Sequence, residues 1–391
     1  MPLGAVFIYV RYLYYPPNNL RFAGNPQRHS KVGILPFSPG DSQLFFKFCI
    51  FARAFQAGTY APLIIYVPVD TGGACMSCYT PNYIVYNDGQ VGRFGGRLTQ
   101  AVLDAALPGQ QIVPVPCGRC EGCRLDYGKR WADRMLVEYN TPREYGVHKA
   151  VFVTLTYDQQ HLPLVDCTDG VPRPTLSKRD WQLFAKRFRK EHPMRYLVAG
   201  EYGDATFRPH YHAIMFGLDL ADIPDLQVYS HDLDLDTTLY SSAWFDGLWQ
   251  NGSCKIAVAN YYTMSYTGRY VLKKQYRSDT PLDIYKGRQP PFILTSRRPG
   301  IGADLFDSVD TSKIAVNDGD DVHLVSRPRI NMEKLSLTNP ELYDTIKTER
   351  RYLAEDRRQM IEDSVGDTWL RWLSGQRDNL IRKTCFSRDK V

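Results

Sequence analysis

Residues 200–217 read GEYGDATFRPHYHAIMFG, and the residues before them, 195–201, read RYLVAGE. Two short apolar runs flank a polar segment in which Gly203, Asp204 and Pro209 are turn formers, so the text reads as an antiparallel hairpin. Strand side chains alternate faces, which points His210 and His212 the same way and Tyr211 the other. Two imidazoles about 7 Å apart along one strand face can grip one divalent ion. Folding the hairpin brings Glu201 beside the pair. Two neutral nitrogens and one carboxylate leave coordination positions open, which suits a catalytic Mg²⁺ or Mn²⁺ acting on phosphate better than a closed structural zinc site. A merely polar strand face is disfavoured by the apolar run at 213–216, against which unpartnered imidazoles are costly to bury. Ile214 stands where a third alternating histidine would be, which argues against a histidine-triad hydrolase.

Working outward, residues 151–157, VFVTLTY, form the clearest strand of the chain, β-branched, aromatic and short, and Asp158 to Pro163 end it. Ser177 caps a helix running to about Lys190, with Trp181, Phe184, Ala185 and Phe188 as its core stripe and a lysine- and arginine-rich opposite side. Downstream, residues 219–246 read as an acidic, irregular surface insertion, followed by a strand-like CKIAVAN and then SYTGRYVLKKQYR at 265–277. On a helix Tyr266 and Tyr270 share a face and Lys273 lies three residues beyond, with Ser265 as a candidate cap. A helix laid over the hairpin would hold two phenols above a metal-bound phosphate. A phenol of ordinary pKa ~10 is a weak nucleophile, so the phosphodiester must be polarised and positioned in line.

Upstream, Cys117, Cys120 and Cys123 form C-x2-C-x2-C, a spacing that lets thiolates converge on one metal; with Cys78 as fourth ligand the set would bind Zn²⁺. An amphipathic helix follows over 124–139, with Leu125, Trp131, Met135 and Leu136 on its apolar side and Arg124, Lys129, Arg130 and Arg134 available to phosphates. Residues 1–75 alternate aromatic clusters with Pro, Gly and Asn and show no sustained period. They read as an upstream extension, with the working protein beginning near Met76. The remaining divisions are a cysteine-rich segment and helix at 76–145, a domain at 146–335 that holds the hairpin and the paired tyrosines, and a charged helical tail at 336–391.

Of 391 residues, 43% are hydrophobic and 23% charged, a globular balance, and 26 tyrosines offer stacking surfaces for bases. The net charge of +6 is uneven: residues 1–75 hold six Lys/Arg against two acids and so carry +4, leaving +2 for the other 316. Nucleic-acid contact must come from local patches rather than a global field. The nine cysteines do not resemble a secreted disulfide framework, and no stretch reads as a membrane span or signal peptide.

Taken in order, VPCGRCEGCR, FVTLTYDQQHLP, GEYGDATFRPHYHAIMFG, SYTGRYVLKK and TSRRPGIGADLF resemble stretches of the HUH-type rolling-circle replication initiators, most closely those of gokushovirus-like Microviridae. The resemblance covers roughly residues 76–349. It implies an α+β fold in which a central antiparallel sheet carries VFVTLTY and the hairpin, with helices packed on it. It also implies His210 and His212 as metal ligands with Glu201 the third, Tyr270 and Tyr266 as paired nucleophiles, and Lys273 assisting at the phosphate. The implied activity is metal-assisted nicking of single-stranded origin DNA through a 5′-phosphotyrosine, in the cytoplasm of a bacterial host. Host polymerase would extend the 3′-OH, and host helicase would unwind, since no G-x4-G-K-[ST] pattern is present. The alternatives are a single-tyrosine HUH transposase and a zinc-dependent nucleic-acid-binding protein without nuclease activity.

Overall fold

In a computed structural model the described residues are 9–10, 45–53, 60–68, 78–87, 89–203, 206–233, 236–275, 285–319 and 321–388. The chain divides into two compact units, Met1–Thr71 and Gly72–Val391. In the first unit β1 (Tyr9–Val10), β2 (Phe45–Arg53) and β3 (Tyr60–Pro68) pair antiparallel. Those strands were not expected from a stretch without a period. The near-continuous apolar runs FFKFCIFAR and YAPLIIYVP carry no alternation to read.

In the second unit β4 (Asn82–Asn87), β5 (Gln90–Arg97) and β6 (Gln110–Val115) form a small sheet of order β5-β4-β6, with the short α1 (Gln100–Asp104) between its last two strands. Then come α2 (Glu121–Tyr139), β7 (Ala150–Tyr157), the two-stranded β8 (Leu164–Asp166) and β9 (Pro172–Pro174), α3 (Lys178–Phe188), β10 (Arg195–Tyr202) and β11 (Pro209–Phe216). After these follow β12 (Gln227–Asp232), β13 (Thr237–Ser241), α4 (Ala243–Trp249), β14 (Gly252–Val258), α5 (Tyr261–Gln275) and β15 (Phe292–Thr295). The chain closes with the hairpin β16 (Lys313–Asp318) and β17 (Asp321–Ser326), then α6 (Arg329–Thr338), α7 (Pro340–Val365) and α8 (Trp369–Arg388).

Seven strands make one antiparallel sheet of order β12-β13-β14-β7-β11-β10-β15. The class is α+β, and VFVTLTY and the histidine strand lie at the centre of the sheet. Strand alternation sorts its two faces into two cores. Val151, Val153, Leu155, Tyr211, Ala213 and Met215 meet Trp181, Phe184 and Phe188 of α3 and Phe245 and Trp249 of α4. On the other side Phe152, Ile214, Phe216 and Ala257 meet Ala132, Met135 and Leu136 of α2 and Met264 of α5. Tyr211, expected to point away from the histidines, does so: its buried hydroxyl accepts from the Ser177 N–H at 3.1 Å and lies 2.7 Å from the Tyr157 hydroxyl. Ser177 caps α3 as expected, its Oγ accepting from the Asp180 N–H.

Several expectations are corrected. Residues 219–246 are not an irregular insertion: β12 and β13 extend the large sheet, and the acids punctuate rather than break them, Asp219 and Asp222 capping a single turn and pairing with Lys149. Helix α2 begins at Glu121, three residues earlier than expected, and Leu125 is exposed rather than core. Three of the cations assigned to phosphates on α2 are engaged within the protein: Lys129 with Asp133, Arg130 with Asp126, and Arg134 with the Ile301 carbonyl. Ser265 does not cap α5. Asn260 and Thr263 bond reciprocally at its start, and the Asp318 carboxylate accepts from the Tyr261 N–H at 3.0 Å.

Candidate metal and nucleophile site

Because β10 and β11 pair with Glu201 opposite His210, the carboxylate and both imidazoles rise from one sheet face. Glu201 Oε1 lies 3.0 Å from His210 Nε2 and 3.2 Å from His212 Nε2, and the two rings converge to 4.9 Å between centroids. One ligand atom from each of the three residues falls within 4.8 Å of the others. The outer ring nitrogens are held from behind. His210 Nδ1 is 3.1 Å from the Arg208 carbonyl, which can only accept, so that nitrogen carries a proton. His212 Nδ1 is 3.0 Å from Thr154 Oγ1, on the neighbouring β7 where Thr154 registers with His212.

A neutral His210 protonated at Nδ1 turns the lone pair of Nε2 toward an ionised carboxylate. Two acceptors facing each other need a cation, either a proton or a metal, between them. Burial alone would raise the Glu201 carboxyl; with a proton between it and the imidazoles, their hydrogen bonds and charge outweigh burial and hold it down at about 2, so the carboxylate is ionised. Two imidazole nitrogens, each ring anchored from behind, and an ionised oxygen converging on one point are a donor set that fits a divalent ion.

Helix α5 lies over this face. The Tyr266 ring stands edge-on to His212 at 5.3 Å and to Phe152 at 6.0 Å, while Phe152 stacks on His212 at 5.8 Å. Position 270 comes one turn further along the same helix and position 273 after it; the side chains of Tyr270 and Lys273 lie outside the described residues. Helix α5 can approach α2 closely because Gly268 faces Gly128: a Cβ at 268 would stand 2.7 Å from the Gly128 carbonyl oxygen. Thr154 and Phe152 were not singled out from the sequence, although alternation in VFVTLTY puts 152, 154 and 156 on one face. The cross-strand register continues that face to Ser253 and Lys255 of β14, opposite Thr156 and Thr154, so a polar row borders the histidines.

A second cluster gathers the four cysteines named from the sequence. Cys78, Cys117, Cys120 and Cys123 bring their sulfurs within 4.8 Å of one another, with Cys117 3.9 Å from Cys123 and Cys120 3.9 Å from Cys78. Burial by itself would raise the Cys117 thiol; the Thr80 hydroxyl and the N–H groups of Arg119 and Cys120 outweigh it and lower it below the ordinary value.

Residues 150–275, which span β7 to α5 and hold both histidines, Glu201 and both tyrosines, match the family model described as replication-associated protein ORF2/G2P. The chain is 27% identical over 318 residues to the replication-associated protein ORF2 of Spiroplasma virus 4, covering 79% of this chain and 84% of that protein. It is 29% identical over 198 residues to the replication-associated protein VP4 of Bdellovibrio phage phiMH2K, covering 48% of this chain and 56% of that one. To the replication-associated protein ORF4 of Chlamydia phage 1 it is 29% identical over 171 residues, 42% of this chain and 39% of that one. No solved structure matches. Residues 150–275 thus match the replication-associated ORF2/G2P family model, and the chain is similar to the replication-associated proteins of small phages.

Proposed function

We propose that this protein initiates rolling-circle replication as an HUH-type, two-tyrosine endonuclease, nicking single-stranded origin DNA and later rejoining it. The observation that carries the reading is the convergence of Glu201, His210 and His212 on one point of a sheet face covered by the tyrosine-bearing helix. The match of residues 150–275 to a replication-associated family supports it. A Mg²⁺ or Mn²⁺ held by these three residues would supply Lewis-acid polarisation of a phosphodiester. The chain's own groups do the rest. Arg208 and Thr154 fix the imidazoles so that both Nε2 atoms face the carboxylate. A phenolic oxygen of Tyr270 or Tyr266 forms a bond to phosphorus as the bond to the 3′-oxygen breaks. The phenol proton is lost, and the 3′-oxygen takes up a proton to leave as a free 3′-OH. Lys273 is assigned to the developing phosphate charge. The linkage conserves the bond energy, so a second tyrosine can cleave the regenerated origin and the released 3′-OH can attack the first phosphotyrosine to close the circle. Host polymerase would extend the primer and host helicase would unwind, in the bacterial cytoplasm. No helix among the described residues is long and apolar enough to cross a membrane.

The test is incubation with Mn²⁺ and single-stranded oligonucleotides tiled across the DNA that encodes the chain, reading covalent protein–DNA adduct on denaturing gels. One oligonucleotide is expected to leave its 5′-phosphate end on the protein. His210→Ala should abolish the adduct while binding of the same oligonucleotide stays within a few-fold. An adduct that survives in both His210→Ala and His212→Ala would overturn the reading.

A further inference from the structure

We propose that Cys78, Cys117, Cys120 and Cys123 bind one Zn²⁺ as a closed structural site that sets the N-terminus of α2. Four sulfurs at the corners of a tetrahedron with Zn–S bonds of about 2.3 Å stand about 3.8 Å apart. The Cys117–Cys123 and Cys120–Cys78 separations are both 3.9 Å. Three of the four cysteines are buried, with exposures of 2% for Cys78, 9% for Cys120 and 4% for Cys123. Four thiols, three of them buried and one at the rim, converge at the spacing that a tetrahedral ion sets. An iron–sulfur cluster, with several irons and sulfides between its thiolates, would spread them wider than a single ion does.

The surroundings favour bound thiolates. The Cys117 N–H points at Cys78 Sγ at 3.2 Å, the Tyr79 N–H at Cys120 Sγ at 3.3 Å, and the Arg119 and Cys120 N–H groups at Cys117 Sγ at 3.4 and 3.3 Å. These donors neutralise part of the negative charge that four thiolates leave on a divalent ion. Cys120 is the residue before α2 and Cys123 lies in its first turn, where the helix N-terminus also favours thiolate. With all four positions filled by sulfur the ion has no site for substrate, so it is a fastening. What it fastens follows from the chain. Cys78 precedes β4 and Cys117 follows β6, whose adjoining ends register at Asn82 and Val115, so one ion joins the start of β4 and the end of β6, at one end of the small sheet, to the start of α2. Further along, α2 meets α5 at Gly128 and Gly268, which places the fastening behind the helix that carries Tyr266.

This proposal does not rest on the nicking reading, because metal content is measured without DNA. Protein purified under reducing conditions without chelator should hold one zinc per chain by mass spectrometric metal analysis. Co²⁺ substitution should give the intense visible bands of tetrahedral thiolate coordination. Zinc should stay at one equivalent in His210→Ala, fall to background in Cys117→Ala, and be retained in Cys117→His, since imidazole is an ordinary zinc ligand. Cys117, on the rim of the cluster, is chosen over the buried thiols so that the variants stay soluble. Removing zinc by chelation should lower the melting temperature of the wild type and leave that of Cys117→Ala unchanged. Sub-stoichiometric zinc in the wild type, iron with acid-labile sulfide in its place, or zinc lost from His210→Ala and kept in Cys117→Ala would each overturn the proposal.

Discussion

His212 is held from three sides: its Nδ1 by Thr154, its ring face by Phe152 and its edge by Tyr266. A hydrogen-bonded partner behind a ligating imidazole fixes its tautomer and direction, and losing such a partner typically weakens metal binding about 10- to 100-fold. Thr154→Val keeps the shape and the strand propensity while deleting the hydroxyl, so nicking should need correspondingly more Mn²⁺ and recover when Mn²⁺ is raised. A Thr154→Val protein with an unchanged Mn²⁺ dependence would detach that hydroxyl from function. The two phenols are separated the same way, one atom at a time. Tyr270→Phe is expected to remove most of the first covalent adduct. Tyr266→Phe, whose ring must keep packing on His212, should impair strand transfer and rejoining more than first cleavage, and the double variant should form no adduct. An adduct in the double variant would move the nucleophile elsewhere.

At the scale of elements, the tyrosine helix is placed by α2, and α2 is placed by a buried charge. The Glu138 carboxylate, with none of its side chain exposed, pairs with Arg143 at 2.9 Å and with Arg195 at 2.6 Å and accepts from the Gly302 N–H at 2.8 Å. It thereby ties the end of α2 to the start of β10 and to the TSRRPGIGADLF loop. Breaking a buried pair by removing one charge costs about 3–5 kcal/mol, because the partners stay buried and uncompensated. Glu138→Gln should therefore unfold at clearly lower denaturant with an unchanged m-value; a midpoint equal to wild type would show that the arginines have found other partners. Gly268→Ala inserts a methyl against the Gly128 carbonyl, overpacking that costs typically 1–3 kcal/mol, and should shift α5 enough to lower nicking as well as stability. These contacts also mark how far the sequence was legible. The hairpin, VFVTLTY and α3 were readable because local signals mark them: turn formers between two apolar runs, a short β-branched and aromatic run, and in α3 an apolar stripe of period 3.6, although the strands bury both faces. The cap of α5 was not, because half of it, Asp318, comes from a strand 57 residues further on. Nor were β12, whose residues are nearly all exposed, and β13, whose TTLYS is half-buried without an apolar alternation to read.

For the whole molecule, the charged tail is more than a solvated extension: Trp369 and Leu373 of α8 are buried against Leu98, with Val102, Leu103 and Ile112 beside them, and Arg377 reaches Glu121 in the first turn of α2 at 3.2 Å. Charge dominates ERRYLAEDRRQMIEDS, but the two apolar side chains that matter lie beyond it, and only the fold shows what they meet. The unit Gly72–Val391 is therefore closed end to end, its last helix packed on its first sheet. Among the described residues it also holds the Glu201, His210 and His212 cluster and the four thiols. Met1–Thr71 forms a separate compact unit with its own three strands, joined antiparallel to one another. Units that divide in this way fold independently when few contacts cross between them. A chain beginning at Met76 should accordingly stay soluble, keep its cooperative unfolding transition and form the covalent adduct at the rate of the full chain. It would also lose the +4 carried by residues 1–75, so its binding to DNA of unrelated sequence should weaken and depend less steeply on salt. Aggregation of the shortened chain, or an adduct lost while zinc and folding are retained, would make the first unit part of the nicking machinery.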